Sequence, residues 1–207
     1  VEAVEVSQVD EHLAPIPGTE RIVPCDTLLL SVGLIPENEL SVAAGIDLDP
    51  RTRGAVVDQS LQTGVPGIFA CGNVLHVHDL ADNVTTESER AGAAAAAWAL
   101  GGGADAETDA TGVDCELTVS PDGIAGYALP GHITTVGLTK LNFRVRRPVD
   151  AARVRILADG EELFAGKVRA FKPSVMESFP VPANVIQRAI DLGASEIVLS
   201  VDPVEEA

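Results

Sequence analysis

Short, continuous apolar runs between glycines and prolines characterise the first half of the chain. Residues 27–32 read TLLLSV and residues 68–71 read IFAC. Each run is too short for a core helix and does not alternate, so both predict strands buried on two faces, as in a parallel sheet. The second run ends at Gly72, which lets the backbone pass close to a bulky group, and Asn73 then presents an amide where open α/β sheets place ligands.

Other spacings predict further elements before the middle of the chain. Val4 and Val6 alternate with polar residues, which is the period of a half-buried strand. Residues 55–58 predict another short strand, and residues 37–44 predict a short helix.

A longer helix is predicted over residues 86–100. Thr86 and Glu89 have the spacing of a capping box, and the glycines at 101–103 end the helix. Four apolar residues share one helical face: Ala91, Ala94, Ala95 and Trp98. Residues 104–112 are acidic and lack large apolar side chains, which indicates a linker between domains at 1–103 and 113–207.

The pattern of short alternating runs and turn signals in the second half predicts a small, mostly antiparallel β domain. Alternating runs predict strands over residues 116–119, 142–146, 153–157, 163–171 and 196–201. Asp159-Gly160 between two of them is a hairpin signal. One helix is predicted over residues 183–192, closed by Gly193.

Composition identifies a globular protein. Hydrophobic residues make up 46% of the chain and the mean hydropathy is +0.21, enough to fill cores. No apolar run has the length of a membrane span and no basic leader precedes an apolar segment, so we expect a cytoplasmic location. The chain begins at Val1 rather than Met, and we expect it to be the carboxyl-terminal part of a longer protein.

The net charge of −17 disfavours nucleic acid and anionic membranes as partners. Nine of the 14 basic residues nevertheless lie between positions 140 and 172. Alternation places six of them on three strands that would share one basic face: Arg144, Arg146, Arg153, Arg155, Lys167 and Arg169. This face either docks an acidic partner subunit or the acidic first domain, or is simply solvated.

No metal site is predicted. The three cysteines are far apart and form no CxxC pair, so we expect reduced thiols. His76, His78, Asp79 and Asp82 are metal-ligand types, but no further Cys or His converges on them in sequence. We expect a solvent-facing polar loop, in which one of the two histidines could also hydrogen-bond a cofactor or carry a proton.

The order of these elements carries a family resemblance. The stretches CDTLLLSVGLIPENEL, GAVVD and TGVPGIFACGNVLHVHDLADNV, followed by an Ala-rich helix, resemble the pyridine nucleotide-disulfide oxidoreductases, which are FAD-dependent enzymes. The resemblance covers about residues 1–101. Within the family, residues 65–79 look closest to the NAD(P)/FAD-dependent branch found with glycerol-3-phosphate, amine and opine dehydrogenase subunits.

The resemblance implies a fold and a set of cofactor-binding residues. The fold class is α/β, with the carboxyl-terminal part of a Rossmann-like FAD/NAD(P)-binding domain followed by the β domain with one short helix. The run ending at Gly33 returns the chain to the FAD domain, and Gly72 and Asn73 contact the ribityl and phosphate region. The helix beyond points its amino end at the flavin ring, through backbone groups of Asn83, Val84 and Thr85. The family usually has Asp where this chain has Asn73.

The function implied is hydride exchange between NAD(P)H and flavin, with electrons passed to an acceptor or partner. No residue is assigned as a catalytic acid or nucleophile. The chain contains no GxGxxG turn for a dinucleotide pyrophosphate, so we expect that turn upstream and the fragment alone to be inactive. The alternative is a non-catalytic interaction or scaffold module whose first half has a flavoprotein-like shape.

Overall fold

The computed structural model describes residues 1–10, 12–31, 33–101 and 114–204. The chain forms two compact units, Val1–Leu34 and Ile35–Ala207. The predicted linker at 104–112 lies outside the described residues. The predicted domain limits stay a prediction. No described helix combines the length and the apolar character needed to cross a membrane.

The first unit contains one β-hairpin. Strand β1 (Ala3–Val6) pairs antiparallel with β2 (Arg21–Pro24), and Val4 lies opposite Val23, so the predicted amino-terminal strand is confirmed. The predicted buried strand at 27–32 is wrong. Leu29 is 89% exposed and Leu30 is 75% exposed. A strand buried on both faces depends on neighbours for its hydrogen bonds, and no described strand of this unit pairs with residues 27–31.

The second unit begins with α1 (Glu39–Ala43) and continues through loops. Isolated bridges join Leu48 to Ala55, Val57 to Thr63 and Gln62 to Phe69. The strands predicted at 55–58 and 68–71 are therefore wrong.

Side-chain-capped turns explain why these ladders stop after one bridge. The Asp49 carboxylate accepts backbone N–H groups of Arg51 and Thr52, and the Asp58 carboxylate accepts those of Ser60 and Gln62. Such local bonds compete with a sheet for the backbone.

The main helix of this unit, α2, spans Ala81–Ala99 and starts five residues earlier than predicted. The predicted capping box is wrong, because Thr86 donates its hydroxyl to the carbonyl of Asp82 inside the helix. No side chain caps the helix start after Leu80. Of the predicted apolar face, Ala91 is buried whereas Trp98 is 46% exposed.

The carboxyl-terminal part is mostly antiparallel, as predicted, and contains two sheets. Its elements are β3 (Asp114–Gly123), β4 (Ala125–Leu129), β5 (His132–Thr135), β6 (Thr139–Val145), β7 (Val149–Ala158), β8 (Glu161–Ala165), β9 (Arg169–Phe171), β10 (Glu177–Val181), α3 (Ala183–Asp191) and β11 (Glu196–Pro203). One sheet has the order β10-β6-β4, and the other has β5-β3-β11-β7-β8 with β9 beside β7. The described pairs of this domain are antiparallel except β3 with β11.

Local signals placed one hairpin and one helix end of the domain correctly, whereas strands β4, β5 and β10 were not predicted. Asp159 and Gly160 both have positive φ, +49° and +79°, and join β7 to β8 as the hairpin signal predicts. Helix α3 ends before Gly193, whose φ is +75°. One apolar cluster unites both sheets with α3, and its most buried members include Phe143, Ile156 and Ile186. The strand predicted over 163–171 divides into β8 and β9.

The predicted single basic face is wrong. Arg144 lies on β6 in the smaller sheet, whereas Arg153, Arg155 and Arg169 lie on β7 and β9 in the larger one. Three of the cations have acidic partners within the chain: Arg144 pairs with Asp79, Arg155 with Asp202 and Glu162, and Arg169 with Glu177. Alternation placed four of these cations on strands, but Arg146 and Lys167 lie outside the strands. Alternation also could not show that the strands belong to different sheets.

Candidate functional site

The site is built where a tight turn packs against the start of α2. Residues Gly72–Val74 form one turn of 3₁₀ helix, and Gly72 has a φ of +70°. A Cβ at Gly72 would lie 3.4 Å from Cγ1 of Val84 on α2. Its backbone N–H donates to Oε1 of Glu87 over 2.6 Å. The turn and the helix are therefore in direct contact, and Glu87 fixes their spacing.

Glu87 also holds both histidines of the following loop. Nε2 of His76 lies 2.8 Å from Oε2 of Glu87, and Nε2 of His78 lies 3.1 Å from Oε1. The side chains of His76, His78 and Glu87 are 1%, 2% and 4% exposed. The predicted solvent-facing loop is therefore wrong for the two histidines, because a carboxylate on α2 gives both imidazoles a partner in the interior. Asp79 and Asp82 are exposed, as predicted.

Two residues of the β domain complete this network. The phenol oxygen of Tyr127 on β4 lies 3.1 Å from Nδ1 of His76. Arg144 on β6 donates to the carbonyl of Val77 over 3.0 Å and lies 3.5 Å from the carboxylate of Asp79. An ionised carboxylate only accepts hydrogen bonds, so Nε2 of His76 donates to Glu87, and Nδ1 on the other side of the ring bonds the phenol oxygen.

The surroundings shift the ionisation of two members. Burial favours the neutral form of Glu87, but the hydrogen bond and charge of His76, the N–H of Gly72 and the charge of His78 outweigh burial and lower the pKa of this carboxyl. Burial raises the pKa of Tyr127 to about 12, and the nearby Arg144 opposes that rise. At neutral pH the site therefore holds an ionised carboxylate and a neutral phenol.

One potential metal-ligand atom from each of His76, His78 and Glu87 lies within 4.8 Å of the other two, a grouping that could hold a metal ion. Two imidazoles and one carboxylate are ligands that zinc and iron accept. However, the carboxylate oxygens already accept from Gly72, His76 and His78. These bonds account for the arrangement as a hydrogen-bonded network.

The structure brings five of the six predicted cofactor-binding residues to this place. Gly72 and Asn73 form the turn, and Oδ1 of Asn73 accepts the backbone N–H of His78 over 3.1 Å. Asn83, Val84 and Thr85 lie in the first turns of α2. Their contact with a cofactor stays a prediction. The first N–H groups of a helix have no intrahelical partners. Because α2 starts at Ala81 rather than Thr86, these groups begin at Ala81.

Gly33, the sixth predicted residue, belongs to the first compact unit. Its φ is +83°, and a Cβ added there would have nothing within 4 Å. The left-handed backbone conformation therefore accounts for the glycine, and its contact with a cofactor stays a prediction.

Sequence reasoning missed Glu87 and Tyr127. A signal for Glu87 was present, because it precedes Ala91 by four residues and so lies on the apolar face of α2, where a lone carboxylate calls for buried partners. Tyr127 meets His76 across 51 residues of chain. Nothing local to the sequence indicates that contact.

Comparison with known proteins bears on the first half of the chain. Residues 1–101 match the family model of the pyridine nucleotide-disulphide oxidoreductases. A probable ferredoxin reductase of Castellaniella defragrans is 46% identical over 57 residues, which are 28% of this chain and 13% of that protein. The mitochondrial dihydrolipoyl dehydrogenase of Caenorhabditis elegans is 39% identical over 71 residues, 34% of this chain and 14% of that one.

A ferredoxin–NADP reductase of Leuconostoc mesenteroides is 39% identical over 59 residues, which are 28% of this chain and 17% of that protein. The chain thus aligns with less than a fifth of the length of each of these relatives. No solved structure matches the chain. Residues 1–101 are thus similar to the pyridine nucleotide-disulphide oxidoreductase family and to reductases among its relatives.

Proposed function

We propose that the chain forms part of the flavin site of an FAD-dependent oxidoreductase, which exchanges hydride between NAD(P)H and flavin and passes electrons to an acceptor. The observation that carries the proposal is the packing of the Gly72 turn on α2 within the segment that matches the family. The likeness to glycerol-3-phosphate, amine or opine dehydrogenase subunits rests on residues 65–79 alone and is part of the proposal.

The residues present suit the ribityl and phosphate part of FAD. Gly72 is buried and its missing side chain lets the turn approach Val84 on α2, whereas Asn73 next to it is exposed. Oδ1 of Asn73 is used by His78, so its amide Nδ2 remains to donate to a phosphate or hydroxyl oxygen. An amide at this position binds oxygen without the fixed negative charge of the family's Asp.

The first turn of α2 suits the flavin ring. FAD, when bound, supplies the hydride-accepting ring, whose reduced form is anionic. The start of a helix carries partial positive charge and unpaired N–H groups, which stabilise a nearby anion. Ala81, Asp82 and Asn83 form this turn; the N–H of Asn83 donates to the carbonyl of Leu80, and the acidic side chain of Asp82 reduces the effect. The helix therefore orients backbone donors, and no side chain of the site transfers a proton in this proposal.

The competing function is a non-catalytic interaction module with a flavoprotein-like half. Asn73, in place of the acid usual in the family, favours it. The two functions differ in one property, which is whether the protein binds FAD.

Flavin binding by the protein in its native form, expressed from the whole of its reading frame, tests the proposal. We expect visible flavin absorbance after purification and bleaching when NADH or NADPH is added without oxygen. Asn73→Ala should weaken FAD binding about three- to tenfold through loss of one hydrogen bond, and Asn73→Asp should retain binding. Asn184→Ala, which removes an asparagine of α3, is the matched control and should bind FAD like the wild type. A colourless wild type that takes up no added FAD would favour the interaction module.

A further inference from the structure

The conformation of the Gly72 turn depends on a side chain from α2. The 2.6 Å bond from the Gly72 N–H to Glu87 joins a backbone donor to an ionised carboxylate, a strong class of hydrogen bond. Glu87 is 4% exposed, so water does not compete for this bond. Removing the carboxylate would leave a buried N–H without its acceptor at the first residue of the turn.

Glu87 is itself held in place by the loop that follows the turn. His76 and His78 each direct Nε2 at one of its two oxygens. The two imidazole rings are 4.3 Å apart, centroid to centroid, and lie edge to face. Three N–H donors bond the two oxygens, so the carboxylate has one defined orientation. The bond from Gly72 to this carboxylate then fixes the position of the turn relative to Glu87.

The β domain reaches this network through Tyr127. His76 lies between Glu87 and Tyr127 and uses one ring nitrogen for each. Tyr127 is 9% exposed and comes from β4, whose partner β6 carries Arg144. Arg144 holds the same loop by its bond to the Val77 carbonyl. The series of contacts from Tyr127 through His76 and Glu87 therefore connects a strand of the β domain with the Gly72 turn.

We propose that Glu87, His76 and Tyr127 form a positioning network, which sets the Gly72–Val74 turn for flavin and makes flavin binding depend on the carboxyl-terminal β domain. This inference rests on the proposed function. It gives the β domain a role in the flavin site even though no β-domain residue needs to touch the cofactor. It also assigns the two buried histidines a structural part in cofactor affinity.

The test compares variants at both ends of the network with a matched control. Tyr127→Phe removes one buried hydroxyl that bonds His76, and Ser200→Ala removes one buried hydroxyl that bonds Asp202 on β11. Glu87→Ala removes the central carboxylate, and Glu87→Gln restores an acceptor for the Gly72 N–H. The FAD dissociation constant, the flavin midpoint potential and hydrogen exchange at the Gly72 amide are measured on the full protein, with a thermal melt for each variant.

We expect FAD binding to weaken about ten- to a hundredfold in Glu87→Ala and about three- to tenfold in Tyr127→Phe. Glu87→Gln should recover part of the loss, and Ser200→Ala should bind like the wild type. The Gly72 amide should exchange faster in Glu87→Ala and in Tyr127→Phe, and the flavin potential should shift in both. A purely stabilising role would not move the potential.

Three results would overturn the inference, and they distinguish it from the proposed function. The positioning network alone is refuted if the wild type binds FAD and Tyr127→Phe binds it with the same affinity. It is also refuted if Ser200→Ala loses as much FAD affinity as Tyr127→Phe. A wild-type protein that takes up no FAD refutes the proposed function and the inference together. If Glu87→Ala fails to fold, Tyr127→Phe and Glu87→Gln still decide the outcome.

Discussion

The phenol oxygen of Tyr127 lies 3.1 Å from Nδ1 of His76, and this contact joins strand β4 to the loop before α2. It is a buried bond between residues 51 positions apart, in a chain whose two halves differ in texture. The half that matches the oxidoreductase family is thus tied to the β domain through buried polar groups. A substitution in strand β4 should therefore affect the loop before α2, and a substitution in that loop should affect β4.

The ionisation of Tyr127 can be measured directly, because it is the only tyrosine in the chain. Its pKa is raised to about 12 by burial, so tyrosinate absorbance in the near ultraviolet should develop around that pH. A raised pKa stabilises the fold fully below the phenol's ordinary value of about 10, and the contribution is lost as pH rises through the folded value. Tyr127→Phe should show no such absorbance change, and a titration at the ordinary phenol value in the folded protein would contradict the burial of this ring.

Glu87 should make the protein acid-sensitive. Its pKa is lowered in the folded state, so it contributes stability above the ordinary carboxyl value, and that contribution is lost as pH falls through the folded value. Denaturant unfolding in the acid range should show the wild type losing stability more steeply than Glu87→Gln. At neutral pH we expect Glu87→Gln to cost about 1.5–3 kcal/mol, the range for hydrogen bonds to a charged group. Parallel stability curves for the two proteins would show that Glu87 does not titrate differently on folding.

Gly54 is required by a close backbone approach. A Cβ there would lie 1.7 Å from the carbonyl oxygen of Leu75, directly before His76. Gly54→Ala should therefore destabilise the protein by about 3 kcal/mol or more, since backbone must move. Gly92→Ala is the matched control, because nothing lies within 4 Å of its added methyl in α2, and it should stabilise the protein by about 0.5–1 kcal/mol. Equal free energies of unfolding for the two variants would contradict the packing of residue 54 against this loop.

Gly67 packs under the only tryptophan of the chain. A Cβ at Gly67 would lie 2.7 Å from the Trp98 ring, and the φ of Gly67 is +79°. Gly67→Ala should displace the ring and shift its fluorescence emission to longer wavelength, with a backbone cost of about 1–2 kcal/mol.

The control for Gly67 is Gly160→Ala in the β7–β8 hairpin. Gly160 has the same φ of +79° and nothing within 4 Å of an added Cβ. It should show a similar loss of stability with unchanged Trp98 emission. The same emission shift in both variants would indicate general loosening rather than contact between Gly67 and Trp98.

The β7–β8 hairpin and several strands of the β domain were predictable because their signals are local, whereas β4, β5 and β10 were not predicted. The Asp159-Gly160 turn and the alternation along β7 are set by residues within a few positions of each other. The strands predicted at 27–32 and 68–71 failed for the opposite reason. A continuous apolar run indicates that a segment prefers burial, but whether it forms a strand depends on partner strands elsewhere in the chain. Leu29 and Leu30 remain exposed here.

Some residues of the site were predictable from the sequence, but the contacts between them were not. The sequence pointed to the Gly72 turn and to His76 and His78, because glycine and histidine have chemistry that is visible one residue at a time. The burial of the histidines follows from Glu87 and Tyr127, which meet them only after α2 and β4 have packed. The start of α2 at Ala81 rather than Thr86 shows a cap signal overridden by that packing.

The most direct test of the flavin site is the amount of FAD that copurifies with the protein in its native form, measured for the wild type and for Tyr127→Phe at matched protein concentration. We predict flavin in stoichiometric amount in the wild type and a reduced fraction in the variant after equal dialysis. Absence of flavin from the wild type, even after incubation with excess FAD, would contradict the central claim that the Gly72 turn and α2 form part of a flavin site.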